Sequence, residues 1–84
     1  MPSASAPDQL ERELERVERF KRIASHRANR ALDYMESLLR TADKSRYHYS
    51  DKQAAEVIGK LRQAVDQLEA AYAGARGSKL RVEL

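Results

Sequence analysis

Residues 41–53, with the sequence TADKSRYHYSDKQ, divide this chain into two helical segments. The first part of the stretch mixes turn-forming residues with aromatic residues and interrupts the spacing of apolar residues found on either side. Its end, Ser50-Asp51-Lys52-Gln53, has the pattern of a capping box, in which the side chains of Ser50 and Gln53 each bond the backbone of the other residue. Asp51 is favourable there because the positive end of the helix dipole lies at the first turn. The stretch therefore predicts a chain reversal followed by the start of a helix.

The segment after the capping box repeats apolar residues at steps of four and three, which is typical of one side of an α-helix. The residues of this second apolar stripe are Ala54, Ile58, Leu61, Val65, Leu68 and Tyr72. Gly74 and Gly77 follow it, and glycine readily adopts the left-handed conformation that ends many helices. A helix is predicted over residues 51–73.

The segment before residue 41 contains a longer stripe with the same spacing. The residues of this first apolar stripe are Leu10, Leu14, Val17, Ala24, Ala28, Ala31, Met35 and Leu38, with Lys21 as the single interruption. Asp8 precedes Glu11 in a second pattern that resembles a capping box, so the helix is predicted to begin at residue 8.

These patterns predict an all-α fold, specifically an antiparallel two-helix hairpin with coiled-coil-like packing. The predicted segments are a disordered N-terminus at 1–7, helices at 8–41 and 51–73, a turn at 42–50 and a flexible tail at 74–84. A seam rich in alanine buries too little apolar surface to offset the conformational entropy of two ordered helices. We therefore expect a homodimer that completes a four-helix bundle, with Phe20, Ile23, Leu32 and Leu39 at the interface between copies.

Charge is unevenly distributed, although sixteen Lys and Arg exceed thirteen Asp and Glu only slightly. Residues 8–18 contain five acids and two arginines, whereas residues 19–32 contain five basic residues and no acid. On a helical projection one side of the first helix forms a basic ridge, opposite the first apolar stripe. Its members are Arg12, Arg16, Arg19, Arg22, His26 and Arg30.

The acid-free part of this helix predicts a contact with nucleic acid through Arg19, Arg22, Arg27 and Arg30. Guanidinium groups match phosphate oxygens and release counterions when they bind. The alternative interpretation is a solvated outer surface that is partly neutralised by acids of the same helix.

The predicted turn combines basic residues with aromatic residues, which is typical of a surface that stacks unpaired bases. We predict that Lys44, Arg46 and Tyr47 contribute to such a surface, while an alternative for Tyr47 is that it covers the open end of the hairpin. Tyr49 is instead expected to pack on the second helix as a hydrophobic staple, because it directly precedes the cap residue.

Several other functions lack the residues that they require. The chain has no cysteine, two distant histidines and no catalytic motif, so we predict neither an enzyme nor a metal or other cofactor. No signal peptide or membrane-spanning stretch is recognisable, which predicts a cytoplasmic protein without membrane contact.

The alternating end of the tail, Leu80-Arg81-Val82-Glu83-Leu84, suggests strand addition to a partner as an alternative to disorder.

Three short runs resemble a group of small bacterial and mobile-element proteins. They are Arg19-Phe20-Lys21-Arg22-Ile23-Ala24, Arg27-Ala28-Asn29-Arg30 and Arg46-Tyr47-His48-Tyr49-Ser50, similar to a pattern RFKRIAxxRxNK followed by NYxYT. Arg46 stands where that group usually has asparagine. The resemblance covers residues 16–73, implies a helical hairpin, and indicates that Arg27, Asn29, Tyr47 and Tyr49 are worth testing.

The sequence therefore predicts a small, non-catalytic helical binding module that associates with itself and contacts nucleic acid or a nucleoprotein. The alternative is a protein–protein adaptor or inhibitor, such as a mobile-element factor that docks on a host protein through the apolar side near Phe20 and Ile23.

Overall fold

A computed structural model of the chain describes residues 5–74 and 79–84. It contains two α-helices, α1 at Ser5–Leu39 and α2 at Asp51–Tyr72, and a short 3-10 helix at Arg40–Ala42. No strand occurs in the part of the chain that the structure describes. The predicted all-α class is confirmed, and the two helices are consistent with a helical hairpin. Completion of a bundle by a second copy stays a prediction.

The chain divides into two compact units, Met1–Asp43 and Lys44–Leu84. The first unit contains α1 and the 3-10 helix, and the second contains the turn, α2 and the described end of the tail. This boundary falls inside the stretch 41–53 that the sequence identifies as the connection.

Helix α1 begins at Ser5, three residues earlier than predicted. Asp8 therefore lies in the first helical turn, where its charge is favourable to the helix dipole, and it is not the cap residue. Pro7 does not prevent this early start, because the first backbone N–H groups of a helix have no partner within it. Residues 5–7 belong to this helix and residues 1–4 lie outside the described residues, so the disorder predicted for residues 1–7 stays a prediction.

Helix α1 ends at Leu39 and tightens into the 3-10 helix, whereas the sequence predicted an α-helix as far as residue 41. The Thr41 hydroxyl donates a hydrogen bond of 2.7 Å to the Leu38 carbonyl. The Asp43 amide donates to the Arg40 carbonyl at 3.4 Å. A hydroxyl that bonds back to the preceding turn competes with regular helix bonding, which accounts for the early change of geometry.

Helix α2 begins as predicted. The Gln53 amide donates to Ser50 Oγ at 3.1 Å, and the Ser50 amide donates to Gln53 Oε1 at 3.0 Å. Both bonds of the capping box are therefore present, and Ser50 has the extended backbone expected of a cap residue. The sequence prediction of this helix start is confirmed.

Helix α2 ends at Tyr72, one residue before the predicted end, with Ala73 as its cap residue. Gly74 follows with a φ of 106°, a positive value that residues with a side chain rarely adopt. Its amide donates to the Ala71 carbonyl at 3.0 Å, which satisfies one of the last carbonyl groups of the helix. The role predicted for Gly74 is confirmed, and Gly77 lies outside the described residues.

The described end of the tail, residues 79–84, contacts α2. The Glu83 amide donates to Glu56 Oε2 at 3.4 Å, and Leu80 is half-buried. Glu56 and Ile58 differ by about 200° around the helix axis, at about 100° per residue. The contact is therefore on the side of α2 away from the second apolar stripe, and the predicted flexibility of the tail stays a prediction.

The two apolar stripes remain accessible along both helices. No side chain in the described part of the chain is buried. Leu10 and Leu14 of α1 are 59% and 57% exposed, and Val65 and Leu68 of α2 are 58% and 57% exposed. Exposed apolar surface of this length is costly in water and favours packing against another helix.

Candidate nucleic-acid interface

The four arginines of the acid-free segment lie along one side of α1. Arg19 and Arg30 are separated by about 16 Å along the axis, at about 1.5 Å per residue, and by about 20° around it. Arg22 lies about 60° to one side of Arg19, and Arg27 lies about 80° to the other side. Helix geometry therefore places these side chains in one strip, with Arg27 at the edge nearest the residues that flank the first apolar stripe.

These arginines are exposed and have no ion-pair partner among the described residues. Among the residues that the structure describes, none of Arg19, Arg22, Arg27 and Arg30 forms an ion pair or a side-chain hydrogen bond. The observed ion pair of this region joins Lys21 Nζ and Glu18 Oε2 at 3.4 Å. Acids of α1 therefore do not contact the four guanidinium groups, each of which keeps five N–H donors for an external partner.

The four residues predicted at an interface between copies lie on three different sides of α1. Leu32 and Leu39 share one flank of the first apolar stripe, while Phe20 is on the other flank. These three side chains are 62%, 71% and 57% exposed, respectively. Ile23 is half-buried and projects near Arg19 and therefore toward the basic ridge. Helix α1 thus brings Leu32 and Leu39 together but separates them from Ile23.

The turn places a lysine over an aromatic ring. Lys44 Nζ lies 5.0 Å from the centre of the Tyr49 ring, within the range of a cation–π interaction. Tyr49 is half-buried and so is Ala54, the residue that a hydrophobic staple would contact. This arrangement is consistent with the packing role predicted for Tyr49.

Tyr47 and Arg46 are more accessible than Tyr49. The Tyr47 side chain is 50% exposed, and Arg46 forms no ion pair with any described residue. An accessible ring next to a guanidinium group provides one surface for stacking and one donor for a phosphate. Lys44, by contrast, already interacts with the Tyr49 ring within the turn.

Tyr34 is a candidate that the sequence interpretation missed. It lies one helical turn after Arg30, is 68% exposed, and projects on the side of the basic ridge. Arg30, Asp33, Tyr34 and Ser37 line a shallow depression on this side of α1. The spacing of four residues from Arg30 is the signal that would have identified it, because residues four apart share a helix surface.

Two other kinds of site are not found in the part of the chain that the structure describes. No group of three or more histidine, cysteine, aspartate or glutamate side chains is arranged to hold a metal ion. Within the same residues, neither helix combines the length and the apolar character needed to cross a bilayer.

The sequence matches no protein-family model, and no curated protein or solved structure shows significant similarity to it.

Proposed function

We propose that this protein is a non-catalytic helical binding module that self-associates and contacts nucleic acid or a nucleoprotein. The contacting residues are Arg19, Arg22, Arg27 and Arg30 of α1, and Lys44, Arg46 and Tyr47 of the turn. The proposal includes the cytoplasmic location predicted from the sequence. The observation that carries it is the strip of four exposed arginines without an ion-pair partner among the described residues.

The arginine strip has dimensions suited to a phosphate backbone. Its length of about 16 Å corresponds to about five nucleotides at about 3.4 Å per nucleotide of one strand. Four guanidinium groups over this length attract phosphate electrostatically, and the energy comes largely from released counterions. Because the proposed contacts of these arginines are to phosphates, we expect affinity that depends weakly on nucleotide sequence.

The turn would add an aromatic contact. Stacking on Tyr47 favours a base that is not paired, because a base within a duplex already has both its faces covered. We therefore expect this protein to prefer single-stranded or locally unpaired nucleic acid to a continuous duplex.

Self-association is supported by the exposed apolar stripes. A second copy of the chain is the simplest partner for this apolar surface, because no side chain of the described residues is buried within one copy. Dimerisation would also double the number of arginine strips and so increase affinity for a long nucleic acid.

The test is fluorescence anisotropy with labelled single-stranded and double-stranded oligonucleotides at constant moderate salt. The triple variant Arg22→Glu, Arg27→Glu and Arg30→Glu should lose measurable binding because it reverses three charges of the strip. Circular dichroism of the same sample would check that helix content is preserved.

A matched control reverses three charges elsewhere. The variant Lys52→Glu, Lys60→Glu and Arg62→Glu changes three residues of α2 and gives the same net charge as the α1 variant. It should keep its affinity within about threefold if the contact is local and not a general attraction to a basic protein. Equal loss in both variants, or unchanged binding in the α1 variant, would contradict the proposal.

A second candidate function is a protein–protein adaptor or inhibitor. The exposed apolar residues beside the first apolar stripe favour it, since Phe20, Leu32 and Leu39 are all more than half exposed. Such a surface would bind a host protein through apolar burial, with little dependence on salt. Binding to a protein partner that is lost in Phe20→Ala and is insensitive to salt would favour this candidate over the first.

A further inference from the structure

Helix α1 has an acidic half and a basic half whose charges are complementary. Residues 8–18 contain five acids, and residues 19–32 contain five basic residues without an acid. Within one copy of this 35-residue helix the two halves approach each other at their junction, where Lys21 and Glu18 form an ion pair, and the remaining charges lie farther apart along the axis. They would meet if two copies of α1 packed side by side in opposite directions.

The first apolar stripe is self-complementary over its leucines in the same antiparallel arrangement, while near the axis Lys21 lies opposite Val17 of the second copy. When two α1 helices are aligned about Arg19, Leu10 lies opposite Ala28 of the second copy, and Leu14 lies opposite Ala24. Each leucine thus faces an alanine, which lets large and small side chains interdigitate. Leu10 and Leu14 are both more than half exposed and available for this packing.

In this alignment, charged residues on one flank of the first apolar stripe come into contact between the two copies. Glu13, Phe20 and Arg27 each come directly before a stripe position, so they lie on the same flank of α1. With the helices aligned about Arg19, Glu13 approaches Arg27 of the second copy, and the two Phe20 rings approach each other. Side chains of a helix lean toward its N-terminus, so each of these pairs converges in antiparallel helices.

From this complementarity we propose that two copies of the chain associate through antiparallel α1 helices. The Phe20 side chains meet at the two-fold axis, and two Glu13–Arg27 ion pairs form between copies. This proposal rests on the self-association included in the proposed function and specifies its surface and register. The opposite flank, which carries Leu32 and Leu39, remains available to a further helix.

Other pairings of α1 lose the charge contacts. Parallel helices in register would bring Glu13 close to Glu18 of the second copy, which is repulsive. An antiparallel alignment shifted by seven residues would place Glu13 opposite Tyr34 and Phe20 opposite Arg27, without an ion pair. In the alignment about Arg19, two Glu13–Arg27 pairs on one flank outweigh one approach between the two Glu18 side chains on the other flank. Flanking charges commonly determine the orientation of paired helices, so they favour this alignment.

The proposed pairing leaves most of the arginine strip accessible. Arg27 lies at the edge of the strip nearest Phe20, whereas Arg19, Arg22 and Arg30 project away from the pairing flank. Contact between copies and contact with nucleic acid thus share Arg27 and otherwise depend on different residues. Glu13→Arg, which changes the pairing flank alone, separates the two contacts.

Sedimentation equilibrium of charge-reversal variants of the full chain tests the pairing. Glu13→Arg or Arg27→Glu alone should raise the dimer dissociation constant about tenfold, because each replaces two attractive contacts by two repulsive ones. The double variant should return to within about threefold of the original value, because the pairs are restored with reversed signs. Glu15→Arg and Arg12→Glu, which change charges on the outer side of α1, serve as matched controls without an expected effect.

Crosslinking tests the register without reversing any ion pair. The chain contains no cysteine, so a single introduced cysteine can react only with that of another copy. Phe20→Cys should form a covalent dimer with a short bis-maleimide, whereas Arg19→Cys, its neighbour on the outer side, should not.

The outcomes separate this proposal from the proposed function. A chain that stays monomeric at all concentrations would overturn both the pairing and the proposed self-association. A dimer that is insensitive to Glu13→Arg and Arg27→Glu, or that crosslinks through Arg19→Cys in place of Phe20→Cys, would overturn the pairing alone. If the pairing alone is overturned, the proposed nucleic-acid contact is unaffected.

Discussion

Ser50 and Gln53 exchange two hydrogen bonds at the start of α2, each side chain accepting from the backbone amide of the other residue. This reciprocal pair satisfies two amide groups that would otherwise have no helical partner. It also fixes the point at which the turn becomes a helix, and so positions Tyr47 and Arg46 just before it.

Replacing the cap residue should weaken the fold. Ser50→Ala removes the acceptor for the Gln53 amide and should lower the free energy of unfolding by about 1 kcal/mol. Thermal unfolding followed by circular dichroism would measure this change. Ser25→Ala, in the middle of α1, provides the control and should be neutral or slightly stabilising because alanine favours helix interiors. Equal effects at the two serines would show that the capping box does not stabilise the protein.

Two glycines of the second unit should respond in opposite directions to the same substitution. A methyl group added at Gly59, inside α2, would meet no atom within 4 Å, so Gly59→Ala should stabilise the protein by about 1 kcal/mol. At Gly74 the φ of 106° strains any residue with a side chain, so Gly74→Ala should destabilise it. Thermal melts of both variants test the pair. Destabilisation by Gly59→Ala would indicate that another helix approaches this position closely.

The predictable features of this fold are those determined by neighbouring residues. The Ser50–Gln53 box and the glycine after α2 depend on groups within a few residues, and the sequence identified both. The start of α1 was misplaced because Asp8 satisfies the cap pattern although the backbone continues as a helix before it. The contact between Glu83 and Glu56 joins residues 27 positions apart and has no sequence signature.

In the candidate site, too, the features that can be predicted are those determined by residues close together in sequence. The arginine strip and the cation–π pair of Lys44 and Tyr49 arise from spacing along one segment. Tyr34 is harder to predict because it lies outside both the acid-free segment and the turn, and only its spacing of four residues from Arg30 relates it to the basic ridge. The surface that packs on the apolar stripes cannot be predicted in this way, because the periodicity of apolar residues identifies a packing side but not its partner.

A charge placed in the second apolar stripe should disrupt any packing that depends on it. Val65→Asp should markedly reduce helix content or thermal stability, because burial of an unpaired carboxylate against another helix is costly. Gln63→Asp, on the opposite side of α2, introduces the same side chain and should change stability by less than about 0.5 kcal/mol. If both variants unfold alike, the stripe is not a packing surface.

The two tyrosines of the turn should have different effects on binding. Tyr47→Ala should weaken binding to single-stranded nucleic acid about tenfold, in line with about 1–3 kcal/mol for one stacked base. Tyr47→Phe should preserve the affinity because the ring is retained. Tyr49→Ala should instead lower thermal stability, since its half-buried ring lies directly before the cap of α2 and carries the Lys44 contact. Unchanged binding in Tyr47→Ala would remove the turn from the interface.

The most direct test of the central claim is the salt dependence of nucleic-acid binding. If the four arginines of α1 together with Lys44 and Arg46 neutralise six phosphates, the logarithm of the dissociation constant for a single strand should rise with the logarithm of salt concentration at a slope of about 4. The Arg22→Glu, Arg27→Glu and Arg30→Glu variant should show no measurable binding over the same range. Binding whose strength is independent of salt would contradict the arginine strip as the contact surface.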